Sequence, residues 1–427
     1  MPLRSVLLIM IPAIFALSCG DGTGTQGGGD GRIPVGLDDC SVRLEGWYYI
    51  GLAMPFTGEL AEKAASRELA VMLAIHEIND AGGVHGKPLG LVSCDTRKEP
   101  MDALARVQEL AGLSEVTAII GPATSSSTLA AAPAAVTAGK VLVSPSATSP
   151  EVSLLEDDGY VFRTVMSDAF QGIALAAICA ARGYENVFVV HRDDAYGEGL
   201  KDVFVANLDP SVTVDTIGYD MALFNPADIV AAVEAADPDV VVLISYVDDG
   251  SAIIKSVLDE ELEPEWLLTD GNKSPDLLEK IGGGDRLNGA TGTCPGVPAG
   301  AEFDAFRDAF LTAWGQEPLS FSANAYDAVW LTAIAMTLSL DPEDGATVRD
   351  RMASTRDMAG PVVVPGDWDL VLTSTNAIGF DYRGASGDVD FTPDGDVFAD
   401  VEEWRVEGGE IVTAGCWDRN GEPCATR

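Results

Sequence analysis

Histidine is scarce in this chain: His76, His85 and His191 are the only three among 427 residues. None stands in an H-E-x-x-H spacing, and no pair of cysteines is spaced C-x-x-C, so neither a metal centre nor a redox dithiol is expected. The phosphate-cradling G-x-x-x-x-G-K-[ST] loop is missing, as is the G-x-S-x-G elbow that exposes a nucleophilic serine. With no base and nucleophile pairing to be found, enzymatic chemistry and bound cofactors are not expected. Positive charge is also in short supply, with 26 Lys and Arg against 67 Asp and Glu, a formal charge of -41. A surface of that sign repels phosphate backbones, so nucleic acid is not expected as a partner.

Long apolar runs are confined to the N-terminus. Arg4 precedes the stretch Val6 to Leu17, which leads into Ala16-Leu17-Ser18-Cys19. A charged start, a short apolar segment and small residues before a cut make a secretory signal over residues 1–18, too short to span a membrane. The cysteine straight after Ser18 resembles a bacterial lipobox, which makes Cys19 a lipidated mature N-terminus and places the protein in the periplasm or cell envelope. Residues 19–45 begin with GDGTGTQGGGDGRIPVG from residue 20 and read as a flexible tether. Six cysteines remain. Cys416 and Cys424 flank the turn-forming WDRNGEP and are expected to close a local disulfide loop, whereas Cys179 lies in an apolar helical run and reads as a buried thiol. The pairing of Cys40, Cys94, Cys179 and Cys294 stays open.

What is plentiful is alternation. From WYYIGLAM onward, short runs rich in Val, Ile and Leu are separated by helix-periodic segments such as AEKAASRELAVMLAIHEIND, the pattern of an α/β protein with parallel sheets covered on both faces. The alternation restarts after Phe162-Arg163-Thr164, so two α/β lobes of the same style are expected. Further on, VDFTPDGDVFAD and EEWRVEGGEIV read as hairpins turning at Asp394-Gly395 and Gly408-Gly409. Asp388, Asp390, Asp394 and Asp396 do not meet the spacing of a calcium loop and read as a solvated acidic turn.

The informative residues sit where strands give way to helices. The segment Gly121-Pro122-Ala123-Thr124-Ser125-Ser126-Ser127-Thr128 opens a helix, where free backbone N–H groups, hydroxyls and the positive end of the dipole suit a carboxylate. Ser144-Pro145-Ser146-Ala147-Thr148-Ser149 follows the next strand and adds hydroxyls beside it. In the second lobe Tyr196, Tyr246 and Asp270 hold equivalent positions, suited to an ammonium and an apolar side chain. Such serines and threonines also cap helices as a matter of course.

These stretches, together with IGLAMPFTGELA, AIHEINDAGGVHGKPL, HRDDAYGEGL and FDYRGASGDVDFTPDGDV, resemble the leucine/isoleucine/valine-binding branch of the type 1 periplasmic binding proteins, from about Tyr49 to Val412. The resemblance implies two Rossmann-like lobes joined by three crossovers, closing on a ligand by hinge bending. It implies a first lobe of residues 46–165 and 292–399, a second of 166–291 and 400–413, and a tail of 414–427. It also implies a monomer that serves an ABC permease in the inner membrane or, alternatively, a ligand-sensing receptor. The ligand would be a branched-chain amino acid or a related amino-acid-like molecule; an amide, urea or aromatic acid is the alternative.

By similarity, Ser125 and Thr148 take the ligand carboxylate, with Thr124 beside Ser125 and Ala147 beside Thr148. The Ser146 carbonyl takes the ammonium, and Tyr196, Tyr246 and Phe321 frame the cleft. Asp270 stands where the family has an ammonium-binding glutamate. Ala123 replaces a larger apolar pocket residue, and Lys63 falls at a first-helix aromatic. Lys98 and Thr124 occupy the places of a first-lobe disulfide found in some members.

Overall fold

The computed structural model describes residues 39–296, 299–355, 360–374 and 379–424. The signal segment, Cys19 and most of the expected tether lie outside them.

In the first lobe the strands are β1 (Cys40–Leu44), β2 (Tyr48–Met54), β3 (Leu89–Asp95), β4 (Val116–Ile120), β5 (Val141–Ser144) and β6 (Val161–Arg163), and α1 (Ala61–Asp80), α2 (Pro100–Ala111) and α3 (Ser125–Thr137) connect them. They form one sheet in the order β1-β3-β2-β4-β5-β6, parallel except for the antiparallel edge strand β1. The central strands are buried along nearly their whole length, as a sheet covered on both faces requires.

The second lobe repeats the scheme with α4 (Asp168–Arg182), β7 (Asn186–Arg192), α5 (Ala195–Asn207), β8 (Thr213–Tyr219), α6 (Pro226–Ala236), β9 (Val240–Ile244), α7 (Val247–Asp259), β10 (Glu265–Leu268), α8 (Pro275–Lys280) and β11 (Thr291–Pro295). The chain then returns to the first lobe through α9 (Ala301–Trp314), α10 (Ser322–Leu338), α11 (Gly345–Met352), β12 (Val362–Val363), α12 (Trp368–Thr373), β13 (Asp381–Gly384) and β14 (Gly387–Asp388). Helix α10 is buried on nearly every side and packs on α1, so the two form the main core of that lobe. Finally β15 (Val401–Glu407) and β16 (Glu410–Trp417) join the second sheet, ordered β16-β15-β11-β10-β9-β7-β8.

Four sequence expectations need correction. Cys40–Leu44 is not tether: it pairs with β3, and Cys40 is bonded to Cys94. Alternating burial is weak in CSVRL, because an edge strand held by a disulfide needs no apolar face of its own. Strand β11 carries the second lobe to Pro295 rather than ending it at 291, and β16 runs to Trp417, past the expected limit at 413. The segment VDFTPDGDVFAD forms no hairpin ladder. Thr392 instead closes a tight turn, accepting from the N–H of Gly395 and donating its own N–H to the Asp396 carbonyl. The hairpin at Gly408-Gly409 forms between β15 and β16. Cys416 and Cys424 are bonded to each other, while Cys179 and Cys294 are buried free thiols.

Candidate functional site

The hydroxyl loop of the first lobe is set by its glycine. Gly121 has φ +103°, and a β-carbon there would lie 2.2 Å from the Ala53 carbonyl oxygen, so no other residue lets the chain leave β4 so close to β2. The Pro122 carbonyl then accepts from Ser144 Oγ at 2.6 Å and Thr128 Oγ1 at 3.2 Å, which ties this loop to the end of β5. Thr124 caps α3 by accepting from the Ser127 N–H, and Ser125 begins the helix. Ser125 Oγ accepts from the Ser149 N–H at 3.1 Å, and Ser146 Oγ donates to the Ala123 carbonyl at 2.8 Å. The two serine-rich loops are therefore one cross-braced unit.

On the second lobe, Asp270 opens a short 3₁₀ turn after β10. Its Oδ1 accepts from Tyr196 Oη at 2.8 Å and Gln171 Nε2 at 3.1 Å. The Tyr196 and Tyr246 rings stack with centroids 5.3 Å apart. Burial raises the Asp270 carboxyl above its ordinary range, against the opposing pull of Tyr196, Gln171 and Lys63. Asp168, also fully buried, is pushed well above the usual carboxylate range by burial and by the Asp270 charge. Two adjacent buried carboxyls disfavour double ionisation, and Asp270, with two side-chain donors where the Asp168 oxygens have none among the described residues, is the better placed to carry the charge.

The lobes meet face to face across this site. Lys63 Nζ, from α1, donates to the Gly271 carbonyl at 3.2 Å; the Ala195 N–H donates to Ser126 Oγ at 3.3 Å; and the Asp248 N–H donates to Glu59 Oε2 at 3.2 Å. Ala123, Thr124, Ser125, Ser146, Thr148, Tyr196, Tyr246, Asp270 and Phe321 line one space, together with Lys63. Ala147 does not reach it: its side chain is fully buried in the core, its N–H donates to Ser144 Oγ and its carbonyl accepts from Arg163. The remaining free volume is about 30 Å³, room for a water but not for an amino acid. An amino-acid-sized ligand is admitted only when the lobes part.

Residues that sequence reasoning passed over complete the site. Leu60, Arg67 and Gly271 line the same space, and Gln171 stands behind Asp270. Gly271 is compelled by contact, since a β-carbon would lie 2.2 Å from the Ser245 carbonyl oxygen. A polar Gln171 among the apolar residues of AFQGIALAAICAA was the one available signal.

Residues 48–381 match the family described as Periplasmic binding protein. The chain belongs to this family, in its leucine/isoleucine/valine-binding branch. The family is made up of extracytoplasmic solute-binding proteins rather than enzymes. Among relatives, the chain is 27% identical over 390 residues to the chemotactic signal transduction system substrate-binding protein BasB of Halobacterium salinarum, covering 87% of this chain and 91% of that one. It is 26% identical over 373 residues to the leucine-, isoleucine-, valine-, threonine-, and alanine-binding protein of Pseudomonas aeruginosa, covering 84% and 90%. The fold is that of the leucine-binding protein LivK of Thermotoga maritima, with a TM-score of 0.74 at 22% identity over 86% of this chain and 98% of that one.

Proposed function

We propose that this periplasmic binding protein is the extracytoplasmic solute-binding component of an ABC importer, taking a small amino-acid-like ligand between its lobes without turning it over. The observation that carries the reading is the juxtaposition across one cleft of Ser125 and Thr148 on one lobe with Tyr196, Tyr246 and Asp270 on the other. Hydroxyls at a helix N-terminus suit a carboxylate, and a buried carboxylate suits an ammonium. Direct contacts between lobes favour hinge closure as the mode of capture. The resemblance of residues 16–19 to a lipobox supports lipid anchoring of the chain through Cys19, and the family resemblance supports a monomer that serves an ABC permease.

Calorimetric titration with branched-chain amino acids, other amino acids and related acids is the test. Micromolar or tighter binding by one of these ligands is expected, and silence across the panel overturns the reading. The name of the Halobacterium salinarum relative favours a second reading, an envelope receptor that passes ligand occupancy to a signalling partner. Permease and ATPase genes beside this one support import, whereas a signalling gene beside it supports sensing.

A further inference from the structure

The charges around the cleft are not all paired. Most of them are paired: Lys98 with Glu59, Arg192 with Asp194 and Asp249, Arg163 with Asp396, and Lys273 with Glu402. Lys63 and Arg67 are different. They lie one turn apart on the same face of α1, only 6% and 4% exposed, and both line the ligand space. Neither makes an ion pair among the described residues; Lys63 Nζ reaches only the backbone carbonyls of Asp270 and Gly271.

Arg67 Nη2 makes a long 3.4 Å bond to the Ser320 carbonyl, its guanidinium lies over the Phe321 ring, and its buried Nε has no hydrogen-bond partner. Against these two cations stands one carboxylate, Asp270, since the buried Asp168 beside it favours its neutral form. A zwitterion adds no net charge and leaves one buried cation uncompensated. An unpaired buried charge is costly, and an unpartnered buried N–H adds to the cost.

We propose that the natural ligand carries net negative charge and that one of its acidic groups is held by the Lys63–Arg67 pair. The inference rests on the solute-binding reading above and narrows its ligand class. Two kinds of molecule share this chemistry: an amino acid with an acidic side chain, whose second carboxylate meets the pair, and a simple organic acid without an ammonium.

Calorimetry on the full chain at neutral pH distinguishes them, with L-glutamate, glutarate and benzoate as net anions and L-glutamine and L-leucine as zwitterions. At least one anion is expected to bind at least ~100-fold more tightly than either zwitterion, the ratio expected when a buried charged donor loses its acceptor. Glutamate ahead of glutarate identifies the amino acid class, and glutarate or benzoate ahead of glutamate the simple acid class. Arg67→Met is expected to weaken binding of the preferred anion by ~10–100-fold. Arg67→Lys, which restores the charge, is expected to recover part of the loss, with circular dichroism confirming that both variants fold. Leucine or glutamine binding as tightly as any anion, with Arg67→Met indifferent, overturns the inference and leaves the solute-binding reading standing. Silence from every ligand overturns both.

Discussion

The Tyr196 hydroxyl donates to the Asp270 carboxylate at 2.8 Å, and this bond joins the helix that follows β7 to the turn that follows β10. Thr269 Oγ1 lies 2.9 Å from the same hydroxyl. Both Tyr196 and Asp270 are buried, at the wall of the ligand space. Tyr196→Phe leaves Asp270 with the Gln171 amide as its remaining side-chain donor. The variant is expected to lose about 1–3 kcal/mol of stability, the cost of stripping a donor from a buried charged acceptor. Urea unfolding measures that loss, and an unchanged midpoint shows that the bond contributes nothing.

Ser125 and Thr148 offer a cleaner separation of binding from folding. Apart from the ligand space, Ser125 Oγ has one role, accepting from the Ser149 N–H. Ser125→Ala combined with Thr148→Ala should therefore cost about 1–2 kcal/mol of stability, leave the circular dichroism spectrum intact, and weaken ligand binding by at least ~100-fold. Retained affinity in the double variant refutes the assignment of the carboxylate site.

The two disulfides differ in what they constrain. Cys40 and Cys94 are separated by 54 residues, whereas Cys416 and Cys424 are separated by only 8. On the loop-entropy account, Cys40→Ala with Cys94→Ala costs about 4 kcal/mol, and Cys416→Ala with Cys424→Ala costs about 2.5 kcal/mol. Thermal unfolding of the two double variants side by side should show the larger fall for the first pair. The reverse order shows that strand β1 contributes little to the lobe.

The fold was legible because its signals are repeated. Buried strands of Val, Ile and Leu alternate with capped helices, and each such unit announces the next. The loops ending β4, β5, β7, β9 and β10 were legible for the same reason, since strand ends of a parallel sheet are where ligands lie. Arg67 was not, and Lys63 came only from the resemblance, as the residue at a first-helix aromatic position. A lysine and an arginine on an amphipathic helix read as solvent-facing, and only the approach of the second lobe, 207 and 208 residues away in sequence at Asp270 and Gly271, buries Lys63. The edge strand β1 was hidden for a related reason: its partner Cys94 is remote, and its own residues carry no strand period.

Lys63 is where the requirements of stability and binding separate. Burial, reinforced by the neighbouring Arg67, pushes its ammonium down to about 8, while Asp270 and Cys294 pull it up and Lys273 pulls it down. Because the folded-state value lies below that of the unfolded chain, the unfolded chain holds more protons between about pH 8 and the ordinary lysine value of ~10.4. Stability contributed by this site therefore rises with pH across that window, and below pH 8 the full penalty applies, on the order of 3 kcal/mol. Lys63→Met removes the titrating group. The unfolding free energy of the parent minus that of the variant, followed from pH 7 to pH 10.5, should rise by on the order of 3 kcal/mol, most of it above pH 8; loss of the bonds to the Asp270 and Gly271 carbonyls shifts the whole difference curve without changing its slope. A flat difference curve shows that Lys63 holds its proton as firmly in the folded protein as in the unfolded chain, whereas a sloping one marks a buried charge whose cost a bound anion offsets.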